Sequence, residues 1–152
     1  MRSLVPFAAL FVLSIVSSPA RPLSVENIPP DQQAIDALLA KASQAEPREQ
    51  CFIYAEVVHQ MTELSIRQYA AGDTTKATGL LKQIQQFAQK IHLSMGNNDR
   101  RLKNAEILLS HTAFRLTEML HSSSAEDQAL VKQTLAQVTQ AQNEAMMQVF
   151  NK

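Results

Sequence analysis

The stretch Cys51–Ala71, CFIYAEVVHQMTELSIRQYAA, is the longest run of high apolar density in the chain that holds neither proline nor glycine, and it reads as one long helix. Cys51, Ala55, Val58, Thr62, Ser65 and Tyr69 recur at alternating spacings of four and three, which places them on one stripe of a helix. Phe52, Val57, Met61, Leu64 and Ile66 carry apolar character onto both flanks of that stripe. A helix that is apolar around most of its circumference needs neighbours on more than one side. The expectation is therefore a bundle organised around this segment.

The composition on either side agrees. All 6 prolines lie at or before Pro47, and from Arg48 onward the only glycines are Gly72, Gly79 and Gly96. Long helices joined by tight connections fit that distribution, and a sheet does not. Gly72 closes the long helix, with Asp73 placed to cap the next. In the third helix, about Thr74 to Met95, Ala77, Leu81, Ile84, Ala88, Ile91 and Met95 make a heptad stripe widened by Leu80 and Phe87. After Gly96-Asn97-Asn98-Asp99, a fourth helix running to about His121 carries Leu102, Ala105, Leu109, Ala113, Leu116 and Leu120, with Ile107 and Phe114 on a second stripe. Two stripes imply two partners. Ser123 and Glu126 have capping-box spacing for a fifth helix, whose face of Val131, Leu135, Val138, Gln142, Ala145 and Val149 is thinner and Gln-rich.

Upstream, a short first helix starts near Pro30 or Asp31, buries Ala34, Ile35, Leu38, Leu39 and Ala42, and ends at Glu46-Pro47. Residues 21–30, rich in proline and polar residues, read as an extended leader. Residues 1–20 have one charge, Arg2, an apolar run from Leu4 to Val16, and Ser18-Pro19-Ala20 at a cleavage position. They read as a secretory signal peptide too short to span a bilayer. The fold expected is all-α: an up-and-down antiparallel helical bundle of four long helices plus one short N-terminal helix over residues 31–152. The localisation expected is exported, periplasmic or secreted.

Charge and cysteine content narrow the function classes. Lys plus Arg and Asp plus Glu number 14 each. Loss of Arg2 with the signal peptide leaves a net charge near minus one, which offers no electrostatic footprint for nucleic acid or an anionic membrane. Cys51 is the only cysteine, so no intramolecular disulfide forms, and at a core position it reads as a small buried hydrophobe. With Phe and Tyr at core spacings and no Trp, there is no stacking platform for bases or sugars.

Three constellations bear on chemistry. Glu56-Val57-Val58-His59 and Glu118-Met119-Leu120-His121 share the Glu-x-x-His spacing that di-iron bundles use. The third helix has no acidic residue, and the two motifs fall at opposite ends of parallel helices, roughly 25 Å apart at 1.5 Å per residue. Such a centre is not expected. Second, the start of the second helix and the ends of the third and fifth share one end of the bundle. That collects Cys51, His59, His92, Met95, Met146 and Met147, soft ligands of the kind copper(I) prefers. Third, Arg100, Arg101 and Lys103 read as a solvated basic group at a helix start. No Gly-rich phosphate loop, GxSxG or HExxH is present, and the chain has few loops on which to assemble a nucleophile.

The function expected is that of a non-enzymatic, exported helical bundle without a cofactor. It would act through protein contacts, by self-association or on a partner's helix, with Ile107 and Phe114 as interaction residues. The alternative is a periplasmic soft-metal, copper-type binding or sensing bundle using Cys51, His59, His92, Met95 and Met147.

Overall fold

The computed structural model describes residues 31–95 and 101–151. The signal peptide and leader expected over residues 1–30, and the glycine cap expected at Gly96, lie outside the described residues. Those described form five helices and no strand: α1 Gln32–Gln44, α2 Pro47–Ala70, α3 Thr74–Ser94, α4 Leu102–Ser122 and α5 Gln128–Phe150. None is long and apolar enough to cross a membrane.

Local chemistry sets most of the helix ends. Asp31 caps α1, its carboxylate accepting from the Ala34 N–H at 2.7 Å, and Asp73 does the same for α3 through the Lys76 N–H at 3.1 Å. Pro47 ends α1 by constraining Glu46, then serves α2 at N1, where its missing N–H costs nothing. Gly72, at φ 85°, takes the left-handed conformation that lets the chain reverse from α2 into α3.

The fifth helix starts differently from the capping box expected at Ser123. Ser123 is buried as the C-cap of α4, its hydroxyl donating to the Met119 carbonyl at 2.6 Å, and α5 begins at Gln128 behind the N-cap Asp127. Ser124 holds the turn by donating its hydroxyl to Asp127 at 2.9 Å. Tyr69, at the end of α2, locks this turn from outside. Its hydroxyl accepts from the Ser124 N–H at 2.7 Å and donates to the Asp127 carboxylate at 3.1 Å.

α2 is the centre of the molecule, as its sequence requires. It packs on α1, α3 and α4 together, and Cys51, Ala55, Val58, Thr62 and Ser65 are buried along one stripe with Phe52, Val57, Met61 and Leu64 beside it. The two buried hydroxyls are satisfied: Thr62 donates to Val58 O and Ser65 to Ala77 O of α3, each at 2.9 Å. From α3 the core takes Ala77, Leu81, Ile84, Ala88 and Ile91. α4 adds Leu102, Ala105, Leu109 and Leu116, and α5 adds Val131, Val138 and Ala145.

On α5 the buried seam runs through Thr134 and Ala141, while Leu135 and Gln142 are only half-buried. Thr134 sits in the core because its hydroxyl donates to Leu130 O at 2.8 Å and accepts from Gln85 Nε2 of α3 at 3.0 Å. Gln142 stays at the edge, where its amide reaches Glu106 of α4.

Around the bundle the long helices run in the order α2, α3, α5, α4. Cross-helix partners fix the directions. His59 and Glu63 of α2 meet Thr112 and Arg115 of α4, and Gln85 and His92 of α3 meet Thr134 and Glu144 of α5, so each of these two pairs is parallel. The molecule is thus two helical hairpins, α2–α3 and α4–α5, laid side by side. Short connections predict that consecutive helices are neighbours throughout. Instead, α3 and α4 occupy opposite corners, because α2 draws α4 as well as α3 onto its apolar surface.

Candidate functional site

α4 presents three different faces, and the two interaction residues expected on it, Ile107 and Phe114, fall on one of them. Its inner face is core. The opposite face carries Ile107 and Phe114, 56% and 60% exposed, with Lys103, His111 and Glu118 around them. These two large apolar side chains, two turns apart and turned away from the core, belong neither to the buried cluster nor to the residues packed against it. The apolar excess of α2, by contrast, is covered: α1 lies against it and supplies Ile35 and Ala42 to the buried set.

The third face of α4 meets α2 in a polar seam. Thr112 donates its hydroxyl proton to Leu108 O at 2.8 Å, so its contact with His59 Nδ1 at 3.0 Å has His59 as donor. In the neutral imidazole the lone pair then sits on Nε2. Burial pulls the His59 pKa below the usual imidazole value, and His111 and Arg115 push the same way while Glu63 opposes them. The His111 ring lies 5.2 Å from that of His59, tilted by 49°.

One turn further on, Arg115 grips Glu63 with both arms of its guanidinium, Nε to Oε1 at 2.7 Å and Nη2 to Oε2 at 3.1 Å, and also donates to Glu118 on its own helix. The Arg115 hydrogen bonds are the main cause of a Glu63 pKa held below the carboxylate norm. This seam joins the two hairpins electrostatically. It holds no activated nucleophile, since the Thr112 proton is committed to a backbone carbonyl. Sequence reasoning misses the seam, although Arg115 and Glu118 stand at helical pair spacing.

Beside the seam, Ala34 and Leu38 of α1, Glu56, His59 and Gln60 of α2 and Leu108 of α4 line an open groove of about 290 Å³. Glu56 Oε2 is buried there without a hydrogen-bond partner. The Glu56–His59 motif therefore lies on a surface groove, while Glu118 of the second motif is held by Arg115 and His121 is exposed. The pairing of Glu63 with Arg115 sets the axial register. It brings the two motifs to roughly 15 Å apart, closer than the sequence estimate yet beyond any shared metal.

The soft-ligand set is distributed. Cys51 is fully buried in the core, and Met95 is half-buried against it. His59 belongs to the α2–α4 seam, roughly 12 Å along the helix from Cys51. His92 pairs with Glu144 across α3 and α5, and Met146 and Met147 are exposed on α5. Among the described residues no three His, Cys, Asp or Glu side chains gather as a metal site. Of the basic group, Arg101 stacks its guanidinium 3.5 Å from the centroid of the Phe52 ring, so it is not simply solvated. No protein-family model, curated protein or solved structure matches the chain.

Proposed function

We propose that this chain is a non-enzymatic helical-bundle protein that works through protein contacts made by the outer face of α4, and that it does so after export. One observation carries the reading: Ile107 and Phe114 remain more than half exposed on a helix whose other apolar positions are packed. Burying such a pair against another helix removes apolar area from water at about 25 cal/mol per Å², the usual source of affinity for a helix face. The polar seam behind it makes that face rigid, because Arg115 and Thr112 tie α4 to α2 on the neighbouring side. Export rests on the apolar leader and small-residue cleavage position of residues 1–20.

Phe114→Glu tests the contact. The substituted chain is expected to keep its helical circular dichroism and lose the assembly that the parent shows in native mass spectrometry. An assembly unchanged by the substitution overturns the reading. Mass analysis of the chain from its producing cell tests export, with a start at Arg21 expected and a retained Met1 as the contrary result.

A further inference from the structure

We infer that the partner of the α4 face is a second copy of this chain, docked antiparallel about a two-fold axis that passes between Ser110 and His111. The inference rests on the contact reading above and names its occupant. On a helix turning about 100° per residue, Phe114 and Glu118 lie within about 20° of Ile107, and Lys103 and His111 within about 40°. All five residues are on the outer side of α4.

Their spacing is self-complementary. Laying α4 antiparallel on its own copy with Ile107 against the second copy's Phe114 sets Phe114 against the second copy's Ile107. The same register places Lys103 against Glu118 of the other copy at both ends, roughly 22 Å apart on each helix. One alignment thus pairs apolar with apolar and cation with anion, twice each, as an isologous interface requires. A parallel alignment would put Lys103 on Lys103 and Glu118 on Glu118.

The bonding state of these groups agrees. Lys103 has no ion-pair partner among the described residues, and Glu118 gives one oxygen to Arg115 while Oε1 makes no bond. The side chain of Glu118 is 47% exposed.

Charge reversal tests the register by sedimentation equilibrium of the purified chain. Lys103→Glu alone sets Glu against Glu in both pairs, and Glu118→Lys alone sets Lys against Lys, so each is expected to weaken dimerisation about tenfold or more. Mixing the two variants makes both pairs attractive and is expected to restore a mixed dimer. Helical circular dichroism of each variant confirms that the fold persists. Dimers indifferent to both reversals overturn the inference.

A photo-crosslinking benzoylphenylalanine in place of Phe114, used in the producing cell, separates the remaining outcomes. A crosslink to the peptide containing Ile107 of a second copy supports the dimer. Crosslinks only to other polypeptides overturn self-association and leave the contact face standing, and no crosslink at all overturns both.

Discussion

Removing Arg115 and Glu63 singly and together measures whether α2 and α4 are neighbours in the register described. The two side chains are 29% and 23% exposed, so the pair lies between the exposed and buried regimes. At an effective dielectric of about 20 and a charge separation of about 4 Å, the bare attraction is about 4 kcal/mol. Desolvation and the ordering of two long side chains offset most of that. Exposed pairs retain about 0.2–1 kcal/mol, while breaking a fully buried pair costs about 3–5 kcal/mol. The two-armed geometry and partial burial place the expected coupling at about 1.5 kcal/mol.

Arg115→Ala should cost more than Glu63→Ala, about 2 against about 1.5 kcal/mol, because it leaves two carboxylates, Glu63 and Glu118, without their shared cation. The double variant should cost little more than Arg115→Ala. Urea unfolding at neutral pH and low salt, extrapolated linearly, supplies the four stabilities. A coupling energy under about 0.5 kcal/mol, the scatter of independent sites, would refute the two-armed contact between Glu63 and Arg115 that sets the register of α2 and α4.

Other perturbations have equally definite outcomes. The folded protein holds His59 below its usual 6.5 and Glu63 below its usual 4.5, so in both windows the unfolded chain binds more protons. Stability to urea should therefore fall as pH drops below about 6.5 and fall further below about 4.5, and His59→Gln should flatten the upper step alone. Leu116→Ala, in the core, should cost about 2–5 kcal/mol, whereas Phe114→Ala on the outer face should stay within about 0.5 kcal/mol in dilute solution. Gly72→Ala should destabilise by about 1 kcal/mol because of its positive φ. Gly79→Ala, inside α3 where an added methyl group meets nothing within 4 Å, should stabilise by about 0.4–1 kcal/mol, and thermal melting reads both.

Much of this architecture is legible in the sequence because its cause is local. The proline-free run after Pro47, the cap at Asp73 and the four-three rhythm on α2 and α3 each act within one or two turns and are found where the sequence predicts them, while Asp31, expected at the start of α1, is its N-cap. Two features escape, each for its own reason. The burial of Thr112 and Thr134 depends on hydroxyls that satisfy themselves on their own helix, so polarity misleads about burial. The placement of α3 and α4 at opposite corners depends on which helix α2 prefers as its third neighbour, and no local signal encodes that.

The candidate site divides in the same way. The exposure of Ile107 and Phe114 follows from their angle to the main α4 stripe, whereas the seam of His59, Thr112, Glu63 and Arg115 needs the axial register of two helices about 50 residues apart in sequence, a quantity that appears only on folding.

The tyrosines supply an unplanned pair of optical and magnetic labels. The chain has 2 Tyr and no Trp. Tyr54 of α2 packs with its ring centroid 6.0 Å from that of Phe87 of α3, inside the first hairpin, while Tyr69 is bonded to the turn of the second. Ring signals from Tyr54 therefore follow the integrity of one hairpin, and those from Tyr69 follow whether the two hairpins remain docked. Loss of the Tyr69 signal ahead of that of Tyr54 during unfolding would identify the hairpins as separable folding units, and simultaneous loss would make the whole bundle a single cooperative one.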